Sequence, residues 1–281
     1  MEGDRSRRLN FLPQNADKTL RRLSIPTLDT ADHYVASVVE KYRVATGPGS
    51  AAHAAALEVM PTLKQWGNRY LQSMTPSGAY AKGTAITLAS HIDILIVLRH
   101  APEIAMRDIF WSLFKFLTDR GFRPHTHDVA MRIQYNGLDI DLLPACTVEG
   151  GSHDHMVFDK NSASGIGTNV AQHVHLVANS GRTQEICALK IWRARSSLNF
   201  PSLYLELTAI AALEKERFGQ LADNVMSVLR YISTRLAKNV VRDPANPDNV
   251  ISDALTASEK QVIAKAAAKE FSDENWKRIL W

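Results

Sequence analysis

Polar and acidic side chains recur at alternate positions in two apolar segments of the chain. His91 and Asp93 open an apolar run that continues to Leu98, and Asp139 and Asp141 lie in a second run. Because side chains on a β-strand alternate between its two faces, the members of each pair point to the same side. Two neighbouring strands of this kind present acidic groups at the lip of a sheet. Carboxylate oxygens in such a place are suited to holding a divalent cation.

Histidines offer a different candidate for a metal centre. Three His-x-His pairs occur, at residues 125 and 127, 153 and 155, and 173 and 175. The two members of such a pair face the same way on a strand but not on a helix. No cysteine or glutamate stands at a spacing that would complete a zinc site with them. The acidic segments are therefore the better candidate.

The segments that carry the acidic residues have the patterns of a central sheet. Residues 92–98 are β-branched and apolar, which is typical of a buried strand. Residues 129–135 alternate in polarity and lead into Asn136-Gly137, a strong signal for a hairpin. Pro144 is expected to end the returning strand. The predicted strands are residues 69–74, 92–98, 129–135 and 138–143, with a turn at residues 76–78.

Helical periodicity covers most of the remaining chain, including nearly all of its second half. The predicted helices are residues 29–43, 51–66 with Pro61 as an end or kink, 106–120, 169–179, 183–195, 201–215, 221–238 and 258–280. Residues 150–168 are rich in Gly, Ser, His and Asn and indicate a boundary between lobes. We therefore expect an N-terminal arm over residues 1–27, a mixed lobe with bracing helices over residues 28–160, and a helical lobe over residues 161–281.

Composition narrows the class of protein. The chain has 281 residues, of which 45% are hydrophobic, enough for a sizeable core, and no apolar run is long enough to predict a membrane span. The charged start predicts no secretory signal, and two isolated cysteines, Cys146 and Cys187, favour a reducing cytoplasm over a disulfide framework. A formal net charge of +4 is compatible with a phosphate-rich ligand or RNA.

Several motifs occur in a fixed order around these residues. Residues 77–86 read SGAYAKGTAI and are followed by His91 and Asp93, which open a strand. Residues 141–145 read DLLPA. This order resembles the signature of the polymerase-β-like nucleotidyltransferase superfamily, in which a Gly-Ser turn and a Lys/Arg-Gly-Thr-Ala run precede an Asp-x-Asp pair. A third carboxylate, followed by two apolar residues and Pro-Ala, lies on a neighbouring strand.

Three later segments resemble one branch of that superfamily. They are residues 189–192 (LKIW), 200–206 (FPSLYLE) and 243–250 (DPANPDNV). The branch contains oligoadenylate synthases, bacterial cyclic-oligonucleotide synthases and CCA-adding enzymes. The last segment also has the composition of a simple turn-rich loop.

The resemblance implies a nucleotidyltransferase fold, a small mixed sheet lobe packed on a helical lobe with the active site in the cleft. It implies transfer of a nucleoside monophosphate from a triphosphate to a hydroxyl of a nucleotide or an RNA 3′ end, with Mg²⁺ or Mn²⁺ as cofactor. Asp93 and Asp141 would hold metal, with His91 as a weaker third ligand. The implied nucleotide-binding residues are Gly78, Ala79, Lys82, Gly83, Thr84, Lys190, Ser202 and Tyr204.

Two positions depart from the superfamily pattern. Ala79 stands where a phosphate-binding serine is usual, and His91 stands where the first metal-binding aspartate is usual. Imidazole brings no negative charge and is a poor ligand for Mg²⁺, although softer ions such as Mn²⁺ tolerate it better. The alternative function is therefore a catalytically degenerate protein that binds nucleotide or RNA in the same cleft.

Overall fold

The computed structural model of the protein describes residues 30–89, 91–99, 103–148, 154–271 and 275–281. The predicted N-terminal arm over residues 1–27 lies outside the described residues, as do Ser90 and His153. Within the described ranges, a mixed sheet is followed along the chain by a largely helical second half. The predicted fold class, a mixed α/β arrangement of a sheet and packed helices, is confirmed.

The sheet contains both parallel and antiparallel strands. β2 and β5 are parallel neighbours, and the other pairings among the described residues are antiparallel. The main order is β1-β2-β5-β4-β3, with β6 paired to the second half of β5 and β7 paired to β6. The strands are β1 Leu71–Ser77, β2 Ile92–Leu98, β3 His125–Thr126, β4 Met131–Tyr135, β5 Leu138–Thr147, β6 His155–Asp159 and β7 Ser164–Thr168.

Alternation along β2 separates a packed face from a functional face. Three isoleucines of β2 point to one side of the sheet, namely Ile92, Ile94 and Ile96. There they pack against apolar residues of two helices, Ala51–Gly67 and Met106–Asp119. Burying each isoleucine contributes about 1.5 to 3 kcal/mol, which fixes the register of the strand. The intervening Asp93 and Leu95 therefore point to the opposite face of the sheet.

The helices brace the sheet and form a core of their own. The helices are α1 Thr30–Tyr42, α2 Ala51–Gly67, α3 Gly78–Lys82, α4 Met106–Asp119, α5 Val170–Ala178, α6 Thr183–Arg195, α7 Ser202–Ala212, α8 Leu221–Arg235, α9 Ala257–Phe271 and α10 Trp276–Ile279. α6 is central, since every residue from Glu185 to Trp192 is buried. Residues of α1, α7, α8 and α9 pack with it in one apolar cluster.

The structure corrects the prediction that Pro144 ends its strand, because β5 continues to Thr147. Residues 138–142 of β5 pair with β4, and residues 145–147 pair with β6. Pro144 lies between these two stretches, where its missing N–H interrupts neither ladder. Pro61 does not end α2, since the helix runs on to Gly67, and the alternative of a kink at Pro61 stays a prediction.

A second correction concerns the segment that the composition marked as a boundary. β6 and β7 form a hairpin there, in which Gly165 packs closely on Met156. Glycine and serine have low strand propensity, so the pattern of β7 does not predict a strand. The sheet therefore extends to Thr168, past residue 160, and the division of the chain into lobes stays a prediction. The helix predicted over residues 258–280 is interrupted, because α9 ends at Phe271 and α10 begins at Trp276.

A search of the described residues for membrane-spanning helices found none of sufficient length and apolar character.

Candidate active site

His91, Asp93 and Asp141 converge at the edge of the sheet. Asp93 on β2 and Asp141 on β5 are partners in the parallel register, so their side chains lie next to each other on the same face. His91 Nε2 lies 3.2 Å from Asp93 Oδ1 and 3.2 Å from Asp141 Oδ2. One ligand atom from each residue falls within 4.8 Å of the others. Among the described residues, this is the one group whose geometry is suited to holding a metal ion.

Arg132 is a fourth member of this site, and sequence reasoning did not single it out. It lies on β4 directly opposite Asp141, and its Nε and Nη2 atoms donate hydrogen bonds of 2.6 and 2.8 Å to the Asp141 carboxylate. Its Nη1 atom lies 3.5 Å from Asp139 Oδ2. A bidentate guanidinium–carboxylate pair fixes the orientation of Asp141. Asp139 is thereby a neighbour of the site through Arg132.

The charges of this site act on one another. Burial acts to lower the pKa of His91, but the hydrogen bond to Asp93 and the charges of Asp93 and Asp141 outweigh it and raise that pKa. The hydrogen bond to Asp141 likewise raises the pKa of Arg132. The carboxylates thus attract positive charge from two sides, which is the electrostatic property that a cation site requires.

The carboxylate of Asp93 retains capacity to bind a cation. Within the described residues, Asp93 Oδ2 is buried and accepts no hydrogen bond. Gly78 approaches it so closely that a Cβ atom at this position would lie 1.8 Å from Oδ2. Gly78 also has a φ of +58°, which favours glycine. Asp141 is bound by Arg132 through both oxygens, but a carboxylate has about four lone-pair directions and can also bind a metal. The residues therefore fit a divalent ion.

The turn after β1 lies against these carboxylates. Gly78 begins the short helix α3 directly after Ser77, the register partner of Asp93. Gly83 follows the last residue of α3 and caps the helix with a φ of +70°. Ala79 lies in the first turn of α3 and is half-buried. The structure thus brings the predicted glycine turn and the predicted metal-binding residues together.

Three predicted nucleotide-binding residues instead surround one buried carboxylate. Lys190 Nζ donates hydrogen bonds to Glu206 Oε1 at 2.6 Å and to Thr84 Oγ1 at 2.8 Å. Lys82 Nζ donates to Glu206 Oε2 at 2.8 Å. Thr84 Oγ1 lies 3.2 Å from Glu206 Oε1. All four side chains are buried, so this Glu206 cluster joins α3 to α6 and α7.

The Glu206 cluster is a correction to the expected position of Lys190. The sequence predicts a lysine facing the cleft, but its side chain is only 3% exposed. Burial lowers the pKa of Lys190, and the charge of Glu206 opposes that change. Burial also acts to raise the pKa of Glu206, but Lys190 and Lys82 outweigh it and lower that pKa. A structural role follows from these contacts, and a triphosphate contact of Lys190 stays a prediction.

Comparison with known proteins bears on the fold of this site. No family model matches the chain. The cyclic AMP-AMP-AMP synthase of Escherichia coli (strain MS 115-1) is 24% identical over an alignment of 243 residues, which covers 70% of this chain and 74% of the relative. The structure of CdnC from E. coli MS115-1 with ATP has a TM-score of 0.71 at 18% identity, and the match covers 86% of this chain and 90% of that one.

Two further structures share the fold. The CD-NTase CdnG from Bradyrhizobium diazoefficiens in complex with GTP has a TM-score of 0.71 at 14% identity, covering 88% of this chain and 91% of that one. The Cid1 poly(U) polymerase has a TM-score of 0.63 at 10% identity, covering 86% and 93%. The chain is thus similar in sequence and in fold to proteins of the polymerase-β-like nucleotidyltransferase superfamily. The resemblance drawn from its motifs is confirmed.

Two residues of the nucleotidyltransferase pattern lie away from the acidic site. Tyr204 is fully buried, packs edge-on against Phe200, and its hydroxyl lies 3.5 Å from the Leu236 carbonyl oxygen. A nucleotide contact does not fit this position, because the ring belongs to the helical core. Ser202 is exposed at the start of α7 and accepts a hydrogen bond from Arg193 Nη1 at 3.0 Å.

Replacement of Tyr204 by phenylalanine is expected to leave nucleotide affinity unchanged and to cost at most about 1.5 kcal/mol of stability. The reason is that the change removes one long hydrogen bond and no apolar contact. Isothermal titration with ATP and chemical denaturation of the same samples measure both quantities. A tenfold loss of ATP affinity in a stable variant would show that Tyr204 contributes to nucleotide binding.

The segment DPANPDNV braces the sheet against the helices. Asp243 Oδ1 lies 2.5 Å from His173 Nε2 on α5, and Asn246 Nδ2 donates to the Gly167 carbonyl at the end of the sheet. Burial acts to raise the pKa of Asp243, but the hydrogen bonds from His173 and the Ala245 backbone outweigh it and lower that pKa. This turn-rich loop has a structural role, and His173 on α5 pairs with its Asp243.

Proposed function

We propose that this protein transfers a nucleoside monophosphate from a nucleoside triphosphate to a hydroxyl of a nucleotide or of an RNA 3′ end, and releases pyrophosphate. The observation that carries the proposal is the convergence of His91, Asp93 and Asp141 beside the Gly78 turn. The fold match to the E. coli structure with ATP and to the Bradyrhizobium structure with GTP supports a nucleoside triphosphate as substrate. The proposal also includes a cytoplasmic location for the protein, as predicted from its two isolated cysteines.

Three residues offer ligand atoms for a divalent ion. Asp93 supplies its unpaired Oδ2 atom, Asp141 supplies oxygens oriented by Arg132, and His91 supplies a weaker nitrogen ligand. A bound Mg²⁺ or Mn²⁺ supplies neutralisation of the triphosphate and activation of the acceptor hydroxyl. Gly78 keeps the backbone of α3 close to Asp93, so a triphosphate at this turn would lie next to an ion that Asp93 holds.

The Glu206 cluster supports the triphosphate side of the proposal. Lys82 and Lys190 share a single carboxylate, so the cluster carries one more positive than negative formal charge. Lys82 is the last residue of α3, the helix that begins at Gly78. An excess positive charge at the C-terminal end of this helix favours the binding of an anionic ligand near it.

Replacement of Asp93 by asparagine is expected to lower the rate of pyrophosphate release by at least about a hundredfold. A metal ion contributes several kcal/mol of charge stabilisation in the transition state, and each 1.4 kcal/mol is a factor of about ten. Pyrophosphate is measured with each of the four NTPs, in Mg²⁺ and in Mn²⁺. Asp139→Asn is the matched control, because Asp139 lies beside the site and should change the rate less than about tenfold. Equal rates in Asp93→Asn and the parent would exclude the catalytic role of Asp93.

A nucleotide-binding protein without turnover is the second candidate function. Two observations favour it, namely the imidazole of His91 at a ligand position and the occupation of Asp141 by Arg132. In this case ATP binds in a metal-dependent way and no pyrophosphate appears with either ion. Labelled RNA that binds at low salt and is released at moderate salt would identify RNA as the ligand instead.

A further inference from the structure

A cavity of about 630 Å³ opens beside the acidic site, where β3 and β4 form the edge of the sheet. Its lining comes from residues 120–125, which follow α4, from β4, and from the start of β5. Six side chains decide its character: Arg120, Phe122, Arg123, His125, Arg132 and Asp139. Three guanidinium groups and an imidazole thus face a single carboxylate, and the cavity has a net positive charge.

Two of these basic groups are available to a ligand. Within the described part of the chain, the side chains of Arg123 and His125 are exposed and make no hydrogen bond or ion pair. Arg120 is exposed as well, stacks on Phe116, and donates one hydrogen bond to Gln65. Guanidinium groups with free donors bind phosphate oxygens well, because several N–H groups point in one plane.

The size and the lining of the cavity favour a nucleotide over a small anion. A volume of about 630 Å³ lies within the range of small-molecule sites and is far more than one phosphate requires. Phe122 is half-buried and offers an aromatic wall against which a base can stack. The ligand class is therefore a phosphorylated nucleoside or a short oligonucleotide.

Arg132 connects this cavity to the acidic site. Its guanidinium group lines the cavity and also donates two hydrogen bonds to Asp141. The glycine turn of α3 lies on the other side of the carboxylates, next to Asp93. A triphosphate at the turn and a nucleotide in the cavity would therefore approach the same carboxylates from opposite sides.

We propose that this basic cavity binds the acceptor, through the phosphate and base of the nucleotide whose hydroxyl is to be extended. The proposal rests on the proposed function, because it assigns a place to the second substrate of that reaction. Arg120 and Arg123 bind phosphate, Phe122 stacks on the base, and Arg132 forms the boundary between acceptor and metal ligands.

The test compares two double variants with the same change in net charge. Arg120→Gln with Arg123→Gln removes two basic groups from the cavity. Arg99→Gln with Arg107→Gln removes two exposed arginines that lie outside it, one after β2 and one at the start of α4. The probes are a fluorescent tetra-adenylate with a 5′-phosphate and a non-hydrolysable ATP analogue with Mg²⁺. Fluorescence anisotropy gives both affinities over a range of salt concentrations.

The cavity variant should lose about ten- to a hundredfold in affinity for tetra-adenylate and keep its affinity for the ATP analogue. Its salt dependence should become shallower by about 1.4 in the logarithmic slope, which corresponds to two lost phosphate contacts. The control variant should match the parent with both probes. Failure of the parent to bind tetra-adenylate, equal losses in both variants, or no loss in the cavity variant would each overturn the proposal. Pyrophosphate release from ATP tests the proposed function separately.

Discussion

Replacement of Glu206 by glutamine is expected to lower the free energy of unfolding by about 3 to 5 kcal/mol. Removing one partner of a buried ion pair leaves the other charge uncompensated in a medium of low polarity. Here two ammonium groups lose their shared carboxylate, since Lys82 Nζ and Lys190 Nζ both donate to Glu206 at 2.8 and 2.6 Å. Glutamine has nearly the same volume, so the loss reports charge rather than packing.

Chemical denaturation measures this loss against a matched control. Glu214 is an exposed glutamate next to the end of α7, and Glu214→Gln should change stability by no more than about 0.5 kcal/mol. A change at Glu206 as small as that at Glu214 would mean that the two lysines find other partners and that the cluster does not hold α3 to the helices.

Lys190→Met in the Glu206→Gln background tests the same cluster from the other side. The single change Lys190→Met leaves Glu206 paired with Lys82 alone, whereas the double change removes one uncompensated charge. The two substitutions should therefore be non-additive by about 0.5 to 3 kcal/mol, because the residues share one network. Additive losses would place Lys190 outside the network and leave the triphosphate as its partner.

Local sequence patterns predicted the strands that carry Asp93 and Asp141. The alternation of residues 91–98 placed Asp93 opposite the isoleucines, and the Asn136-Gly137 turn defined the β4–β5 hairpin. The same turn also determines which residue lies opposite Arg132. A two-residue loop at 136 and 137 pairs residue 135 with 138, and counting outward pairs Arg132 with Asp141. The register of the hairpin was therefore sufficient to find this residue.

Positions that depend on packing across the chain were not accessible in this way. A motif places Lys190 on a helix but does not say that α6 is buried on all sides. Its partner Glu206 is near in sequence, but Lys82 and Thr84 come from more than a hundred residues away. The depth of α6 results from contacts with several other helices, and no local period encodes these contacts.

Replacement of His91 by aspartate is expected to raise the affinity of the site for Mg²⁺ by at least about tenfold, and to raise any pyrophosphate release with it. Magnesium binds hard oxygen ligands, and a carboxylate at position 91 supplies both an oxygen and a negative charge where imidazole supplies neither. Even outer contacts of metal ligands change affinity by about 10- to 100-fold, so a direct ligand should reach that range. Arg132 offsets only part of the added charge, because it is already paired with Asp141.

A carboxylate at position 91 also brings a third negative charge next to Asp93 and Asp141, so the metal-free variant should be less stable than the parent. Millimolar Mg²⁺ should restore this stability, since a ligand that binds only the folded state stabilises it. His91→Asn is the control, because it supplies an oxygen without the charge. An active parent that His91→Asp accelerates supports a weakened enzyme. An inactive parent that His91→Asp makes active supports a binding protein that kept the rest of its site. No turnover and no Mg²⁺-dependent stabilisation in His91→Asp would exclude a metal site at Asp93 and Asp141.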